Sequence, residues 1–571
     1  MTTAPSRRPM PHLVVAPQPR RVADVVIDTL RDLGVRTFYG VPGGAITPIY
    51  DALIDAPDLK LINNRHETAA MFIAGGAAMN GQLSAVLVTS GPGVTNVITG
   101  LANAFADSIP VIVLGGEVAH RNFGRGALQE GTKFSLDLVG MVRSVTKYAA
   151  TITNPRSASS VVRRAVQTAL SGRQGPVFLS LPVDIMMEKV TPTVISAQVS
   201  TSFQIDDALV DRAASALQNA KRGLIMMGSG SRHPLAVTQV RILAEHLQIP
   251  VCTTPKGKGL FPERNPLSLG VLGYGGHPSA SKYVEGGIDV LLAVGCGLGE
   301  TATNSWAGAL QPTNTFIQID IDGSQIGKNY QVDVGLVGAA HQVLPSLIAR
   351  VRPEPLSTTR ERIELHGSEL LTSNKIPLHP ARVMTLLQET FPLDTIYTSD
   401  IGEHLMFATH YLRIDHPDGF ISHHGLGSMG SGIGAAIGAK HAKPDRPVVA
   451  ICGDYGFQMF GMELGTCVQY KIGVAFAILN DSRMRMVENG FEKLYGRHLP
   501  CDGPLIDFAA LGRAVGADGV VLSTAEDFAR LKAMDRDPNK PLVMDIRTDP
   551  TAFFAVSGRV RHLSNFEGKN E

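Results

Sequence analysis

Short runs of valine, isoleucine and leucine alternate along this chain with alanine-rich amphipathic stretches. That alternation restricts the fold more than any other feature. Ala85–Val88, Val111–Leu114 and Val177–Leu181 are almost wholly apolar. A sheet with one wet face would alternate polar and apolar residues. Strands apolar on both sides belong in a parallel sheet covered on both faces. Between the runs lie Thr68–Met79 and Ser157–Ser171, each long enough for a covering helix. The pattern predicts βαβ units and an α/β fold built on open, doubly wound parallel sheets.

The pattern occurs three times, which suits 571 residues at about 150 residues per domain. The predicted domains cover residues 22–187, 203–351 and 376–551. Predicted strands of the second are Gly223–Met227, Val290–Val294 and Phe316–Ile321. Those of the third are Thr395–Ser399, Val448–Ile451 and Ala475–Leu479. The polar stretches Glu188–Ser202 and Arg352–Lys375 read as linkers. Residues 1–21 are rich in Pro and Arg without the apolar run of a secretory signal, and read as a disordered tail. Residues 552–571 read as a C-terminal tail or lid.

Composition narrows the partners. The formal net charge of +1 gives no basic surface for nucleic acid. No apolar run approaches the roughly 20 residues of a membrane span. Five scattered cysteines without CxxC spacing suggest reduced thiols, hence a cytoplasmic location.

Two acids stand where an α/β sheet binds ligands. Ala450-Ile-Cys-Gly-Asp-Tyr-Gly-Phe457 continues an apolar strand into a turn, with glycines flanking Asp454. Gly453 would let the chain turn, and Gly456 would let it approach a ligand. A second strand ends in Asn480-Asp481-Ser482-Arg483. Asp481 follows Asp454 by 27 residues, the length of one strand–helix–strand unit, so both carboxylates can reach the same sheet edge. Two such oxygens, a backbone carbonyl and diphosphate oxygens would make an octahedral Mg2+ site. Acids at strand ends are also common without ligands, so the pair alone leaves both readings open.

Gly-Asp followed by an Asn/Asp pair at this spacing resembles the signature of thiamine-diphosphate enzymes. The resemblance implies metal ligation by the side chains of Asp454 and Asp481 and by the carbonyl of Arg483. Two departures stand out. Tyr455 replaces the usual third glycine, and Asp481 replaces the usual Asn, as in catabolic acetolactate synthases. Thr398-Ser-Asp-Ile-Gly-Glu-His404 is similar to the family's diphosphate turn and implies contacts from Gly402, Glu403 and His404, with Gly453, Tyr455 and Met486 also on the cofactor.

The pyrimidine side is carried by Ile62-Asn-Asn-Arg-His-Glu-Thr-Ala-Ala70. Glu67 falls in a first helical turn, where the helix dipole favours an anion. Arg-His-Glu resembles the family's catalytic-glutamate motif, and Ser90-Gly-Pro-Gly-Val-Thr-Asn96 its glycine-rich loop. A carboxyl hydrogen-bonded to pyrimidine N1′ favours the imino tautomer that removes the C2 proton of thiamine. His423-His-Gly-Leu-Gly-Ser-Met-Gly430 is similar to the segment beneath the cofactor. The match implies a Gly427 carbonyl facing the 4′-nitrogen and Met429 wedged between the rings. In this family the two halves of a site come from different subunits, implying a homodimer or homotetramer with sites at the interface.

The resemblance covers nearly all of residues 22 to 550 and is closest to acetolactate (acetohydroxyacid) synthases. Val41-Pro-Gly-Gly-Ala-Ile46, Asp107-Ser-Ile-Pro110, Leu128-Gln-Glu-Gly131, Thr146-Lys-Tyr148 and Ile319-Asp-Ile-Asp-Gly323 carry it. It implies a carboligase: a 2-oxo acid, pyruvate by resemblance, loses CO2 and the acyl unit passes to a second carbonyl. Gly44, Gln129, His424 and Gly490 are the expected substrate residues. Gly490 aligns where the family keeps Trp, and the chain's one tryptophan is Trp306, which implies a wider pocket and a larger acceptor. The family's FAD segment is absent. The glycine turns Met227–Ser231 and Gly295–Thr301 leave FAD open. A decarboxylase that protonates its intermediate, with His120, His423 or His424 as donor, is the alternative.

Overall fold

A computed structural model describes residues 18–191, 205–355 and 362–554. It contains three six-stranded sheets, each wholly parallel. The first holds β1 (Thr37–Gly40), β2 (Lys60–Asn63), β3 (Ser84–Val88), β4 (Ile112–Glu117), β5 (Tyr148–Thr151) and β6 (Val177–Pro182), in the order β2-β1-β3-β4-β6-β5. The second holds β7 (Gly223–Met227), β8 (Val251–Thr253), β9 (Ser268–Val271), β10 (Val290–Val294), β11 (Thr315–Asp320) and β12 (Val334–Val337), in the order β9-β8-β7-β10-β11-β12. The third holds β13 (Ile396–Ser399), β14 (Phe420–Ser422), β15 (Val448–Gly453), β16 (Ala475–Asn480), β17 (Asp518–Leu522) and β18 (Leu542–Arg547), in the order β14-β13-β15-β16-β18-β17. The outer two sheets share one strand order. The middle sheet has the dinucleotide-binding order.

The strands expected from apolar runs are present, with ends displaced by at most three residues. Lys60–Asn63 and Tyr148–Thr151 carry no such run. Both are edge strands, half-exposed along much of their length, so nothing demands a continuous apolar sequence. At the N-terminus, Arg20–Arg21 pairs antiparallel with Lys189–Val190. The first domain is therefore clasped by residues read as tail and linker. The remainder of those segments, residues 1–17 and 192–202, lies outside the described residues, as do residues 555–571. All five cysteines are free thiols, and four are buried.

The first and third domains share one core. Helix α1 (Glu67–Met79) covers the first sheet, and helix α3 (Ser431–Ala442) covers the third. Helix α2 (Pro92–Asp107) lies beside α1. One buried cluster runs from Tyr39 and Ile73 through Ala435 and Ile437 to Phe476 and Val543. Neither α1 nor α3 has a polar face, because both sides of each are covered. They approach closely because glycine faces backbone. A Cβ on Gly76 would stand 2.4 Å from the Ala435 carbonyl oxygen, and one on Gly438 would stand 2.0 Å from that of Ile73.

Gly438→Ala is expected to destabilise the protein by about 2 kcal/mol through overpacking. Gly308→Ala, whose methyl meets open space, should change little. Denaturant unfolding of the two variants side by side checks this.

Candidate active site

The site lies at the C-terminal edge of the third sheet. β15 ends in Gly453, and Asp454 opens helix α4 (Asp454–Phe460). β16 ends in Asn480, and Asp481 follows it. Asp454 spans the two strand ends: Oδ1 accepts the backbone N–H of Tyr455 at 2.8 Å, and Oδ2 that of Ser482 at 2.7 Å. Asp481 Oδ1 accepts the Arg483 N–H at 3.1 Å, and its Oδ2 stands 3.6 Å from Arg485 Nε.

Both carboxyls border a cavity of about 240 Å3. Its wall contains Gly402, Glu403, His404, Gly427, Met429, Gly453, Asp454, Tyr455, Asp481, Arg483 and Met486, with Pro380, Phe407 and Leu479 adding apolar surface. Every residue of the third domain expected on the metal or the cofactor thus lies on one wall. Burial raises Asp454 to about 6. Burial, and then the neighbouring Asp454 charge, raises Asp481 to about 7. Two acids that resist ionising side by side fit a site that receives a cation. Among the described residues no three His, Cys, Asp or Glu side chains form a metal cluster. A cation here would need backbone or ligand oxygens as well.

Local geometry sharpens several expectations. Gly453 has φ −87° and ψ 164°, an ordinary extended backbone, so it is not required for the turn. Gly427, at φ +74°, does need glycine. Tyr455 sits in the first turn of α4 and strains nothing, because its ring runs out toward Cys501 and Gly503. Glu403 Oε1 accepts the Phe554 N–H at 3.0 Å, so this acid anchors the last described residues. His404 is buried, burial holds it down near 4, and its Nε2 has no partner.

The first-domain residues stand elsewhere in the chain. Glu67 is the first residue of α1 and accepts from Asn96 Nδ2 at 2.9 Å. Gly44 opens an exposed turn packed against Gly116 of β4. Gln129, exposed at φ +65°, lies against Gly91 of the glycine-rich loop. None of these three lines the third-domain cavity. Gly490 does not line it either; it is buried in helix α6 (Arg485–Tyr495; α5, Leu464–Tyr470, precedes it), and Met486 and Val487 form that part of the wall. His424 is turned away too: its Nε2 lies 3.1 Å from Ser422 Oγ. His423 is buried with both ring nitrogens unpartnered. His120 is exposed on the first domain.

Two acids of the site carry no sequence-based role. Asp400 is fully buried, and its carboxylate accepts the N–H groups of Gly430 and Gly432 at 2.9 and 3.0 Å, fixing the start of α3 beside Met429. Burial raises it to about 6. Its place in Thr398–His404 was a signal, but its partners lie thirty residues on. Glu463 gave none.

A second cavity, of about 520 Å3, opens at the edge of the middle sheet. Ser229–Gly230, Gly295 and Ile319–Ile321 line it, together with Arg173, Arg232, Lys256 and His341. Glycine turns and cationic side chains at this edge suit a phosphate-bearing nucleotide.

Comparison with known proteins gives three successive matches. Residues 20–137 match the N-terminal TPP-binding domain of thiamine pyrophosphate enzymes, 210–347 their central domain, and 400–546 their C-terminal TPP-binding domain. The chain is 36 % identical to a probable acetolactate synthase large subunit of Methanocaldococcus jannaschii, covering 92 % of each chain. It is 35 % identical to the acetolactate synthase large subunit of Parasynechococcus marenigrum, over 93 % of this chain and 88 % of that one. With the acetolactate synthase isozyme 3 large subunit of Escherichia coli the identity is 34 %, over 92 % and 94 %. Three matched domains, a cavity bordered by paired acids and relatives aligned end to end lead to one statement: this chain belongs to the thiamine pyrophosphate-dependent enzymes.

Proposed function

We propose that the protein is a carboligase that decarboxylates a 2-oxo acid, pyruvate, and transfers the acyl unit to a second carbonyl. The observation that carries this reading is the wall holding Asp454, Asp481, His404, Gly427 and Met429 together, in a chain aligned throughout with acetolactate synthases. Asp454, Asp481 and the Arg483 carbonyl would hold Mg2+, and His404 with the Gly402 turn would face the diphosphate. Thiamine diphosphate supplies the electron sink for decarboxylation. Gly427 would offer its carbonyl to the aminopyrimidine, and Met429 would pack against the cofactor from the cavity wall. Glu67 would hold a proton toward pyrimidine N1′, and Gln129 would border the 2-oxo acid.

Glu67 does not line the cavity of its own chain, so the reading includes a second copy. Exposed apolar residues flank both half-sites, Leu128 and Phe134 on the first domain and Leu426, Met459, Met462 and Val487 on the third. A second copy seated there would cover them. Among the described residues no helix is long and apolar enough to cross a membrane. The middle-sheet cavity is the place for FAD in this reading, and flavin absorption of the purified protein tests it.

Incubation with pyruvate, thiamine diphosphate and Mg2+ should yield acetolactate; acetaldehyde as the main product would favour the decarboxylase instead. Glu67→Gln should lower turnover roughly a thousandfold with an unchanged melting temperature. A third expectation concerns pH. Asp454 and Asp481 have raised pKa values when folded, so without a divalent cation their stabilising contribution is lost as pH rises through about 6 to 7. In chelator, Asp454→Asn should therefore melt higher than wild type at about pH 8, with the gap closing only as pH falls to about 4, where an unfolded Asp is itself protonated. Mg2+ with thiamine diphosphate should reverse the order at the higher pH, because the ion binds the ionised acids.

A further inference from the structure

Glu463 closes a single turn, Gly461–Glu463, that follows α4 directly. Its side chain is buried, and most of its hydrogen bonding goes to another domain. Oε1 accepts the backbone N–H groups of Arg65 at 2.7 Å and His66 at 3.0 Å. Oε2 accepts from Asn64 Nδ2 at 3.1 Å and Thr466 Oγ1 at 2.7 Å. None of these donors is a cation. A carboxylate accepts only, through about four lone-pair sites, so it answers four donors where an amide would turn its NH2 toward two of them.

Three of the four donors are the residues immediately before Glu67. They occupy the turn between β2 and α1, where backbone N–H groups find no partner in strand or helix. The neighbours of Glu463 hold the same turn. Tyr470 Oη accepts the Asn63 N–H at 2.9 Å, and Gln469 Oε1 accepts from Arg65 Nη2 at 2.8 Å. The Phe460 ring meets the His66 ring edge-on at 5.8 Å. The end of α4, Glu463 and α5 thus grip residues 63–66, in a segment that begins at Asp454.

We propose that Glu463 is the positioning residue for Glu67: its carboxylate fixes the turn Asn64–His66 and so sets where the Glu67 carboxyl stands. The proposal rests on reading Glu67 as the group that activates the cofactor. The C2 proton of bound thiamine diphosphate reports that activation without any substrate.

Glu463→Gln and Thr466→Val are the variants, each prepared as holoenzyme with thiamine diphosphate and Mg2+. Glu463→Gln should slow exchange of the C2 proton into D2O about tenfold or more by NMR, because its NH2 leaves two of the four donors without an acceptor. Calorimetric affinity for thiamine diphosphate should change less than about twofold, since Glu463 lies outside the diphosphate cavity. Amide exchange of residues 62–68, read by mass spectrometry, should be faster. Thr466→Val, which leaves three of the four bonds, should shift both rates in the same direction by about two- to threefold. Wild-type C2 exchange in Glu463→Gln, or slowed exchange with unchanged amide protection at 62–68, overturns the proposal. If Glu463→Gln does not fold, unchanged rates in Thr466→Val overturn it. A Glu67→Gln holoenzyme that exchanges the C2 proton at the wild-type rate overturns the reading of Glu67 instead, whatever Glu463 does.

Discussion

Between Ile73 and Gly438 there is no room for a methyl group. At this seam two helices bring their backbones together, and through it the first and third domains bury one continuous core. Close-packed interiors do not deform gradually, so the seam fixes the relation between the two domains. Everything mounted on either helix inherits that relation. Glu67 opens one helix, and the Gly427–Met429 turn leads into the other.

Buried carboxylates divide the work around this frame. Asp400 and Glu463 are spent on protein donors: the first holds the entry to α3, the second the approach to Glu67. Asp454 and Asp481 stand beside one another at the cavity wall, where burial and, at Asp481, the neighbouring charge penalise ionisation. An internal acid surrounded by donors is a fastener. A pair of acids facing a cavity is an unsatisfied demand for positive charge.

The fold was legible because a parallel sheet covered on both faces leaves a local trace, an apolar run bounded by turns. The cavity was legible because its residues sit in short motifs at strand ends, and parallel strands bring those ends to one edge. Tyr455 and Gly453 show where local reading stops: the first fits by sending its ring outward, and the second is not needed for its conformation. Glu463 shows a deeper limit. Its principal partners, Asn64 to His66, are about four hundred residues away, and nothing in Gly-Met-Glu-Leu anticipates them. Gly490 marks the same limit for substrate choice, since its place in α6 depends on helix rotation.

The shared core also has a temporal side. Ile73 and Gly76 leave the ribosome about 360 residues before Ala435 and Gly438. At about 5 to 20 residues per second, the first domain waits roughly 20 to 70 seconds for the helix that covers it. During that interval the face of α1 carrying Phe72, Ile73 and Gly76 is open to water and to neighbouring nascent chains. The glycines that make the finished seam tight leave the unfinished one with little to shield it, so biosynthesis of this protein passes through a stage in which an apolar helix face waits for a partner encoded far downstream.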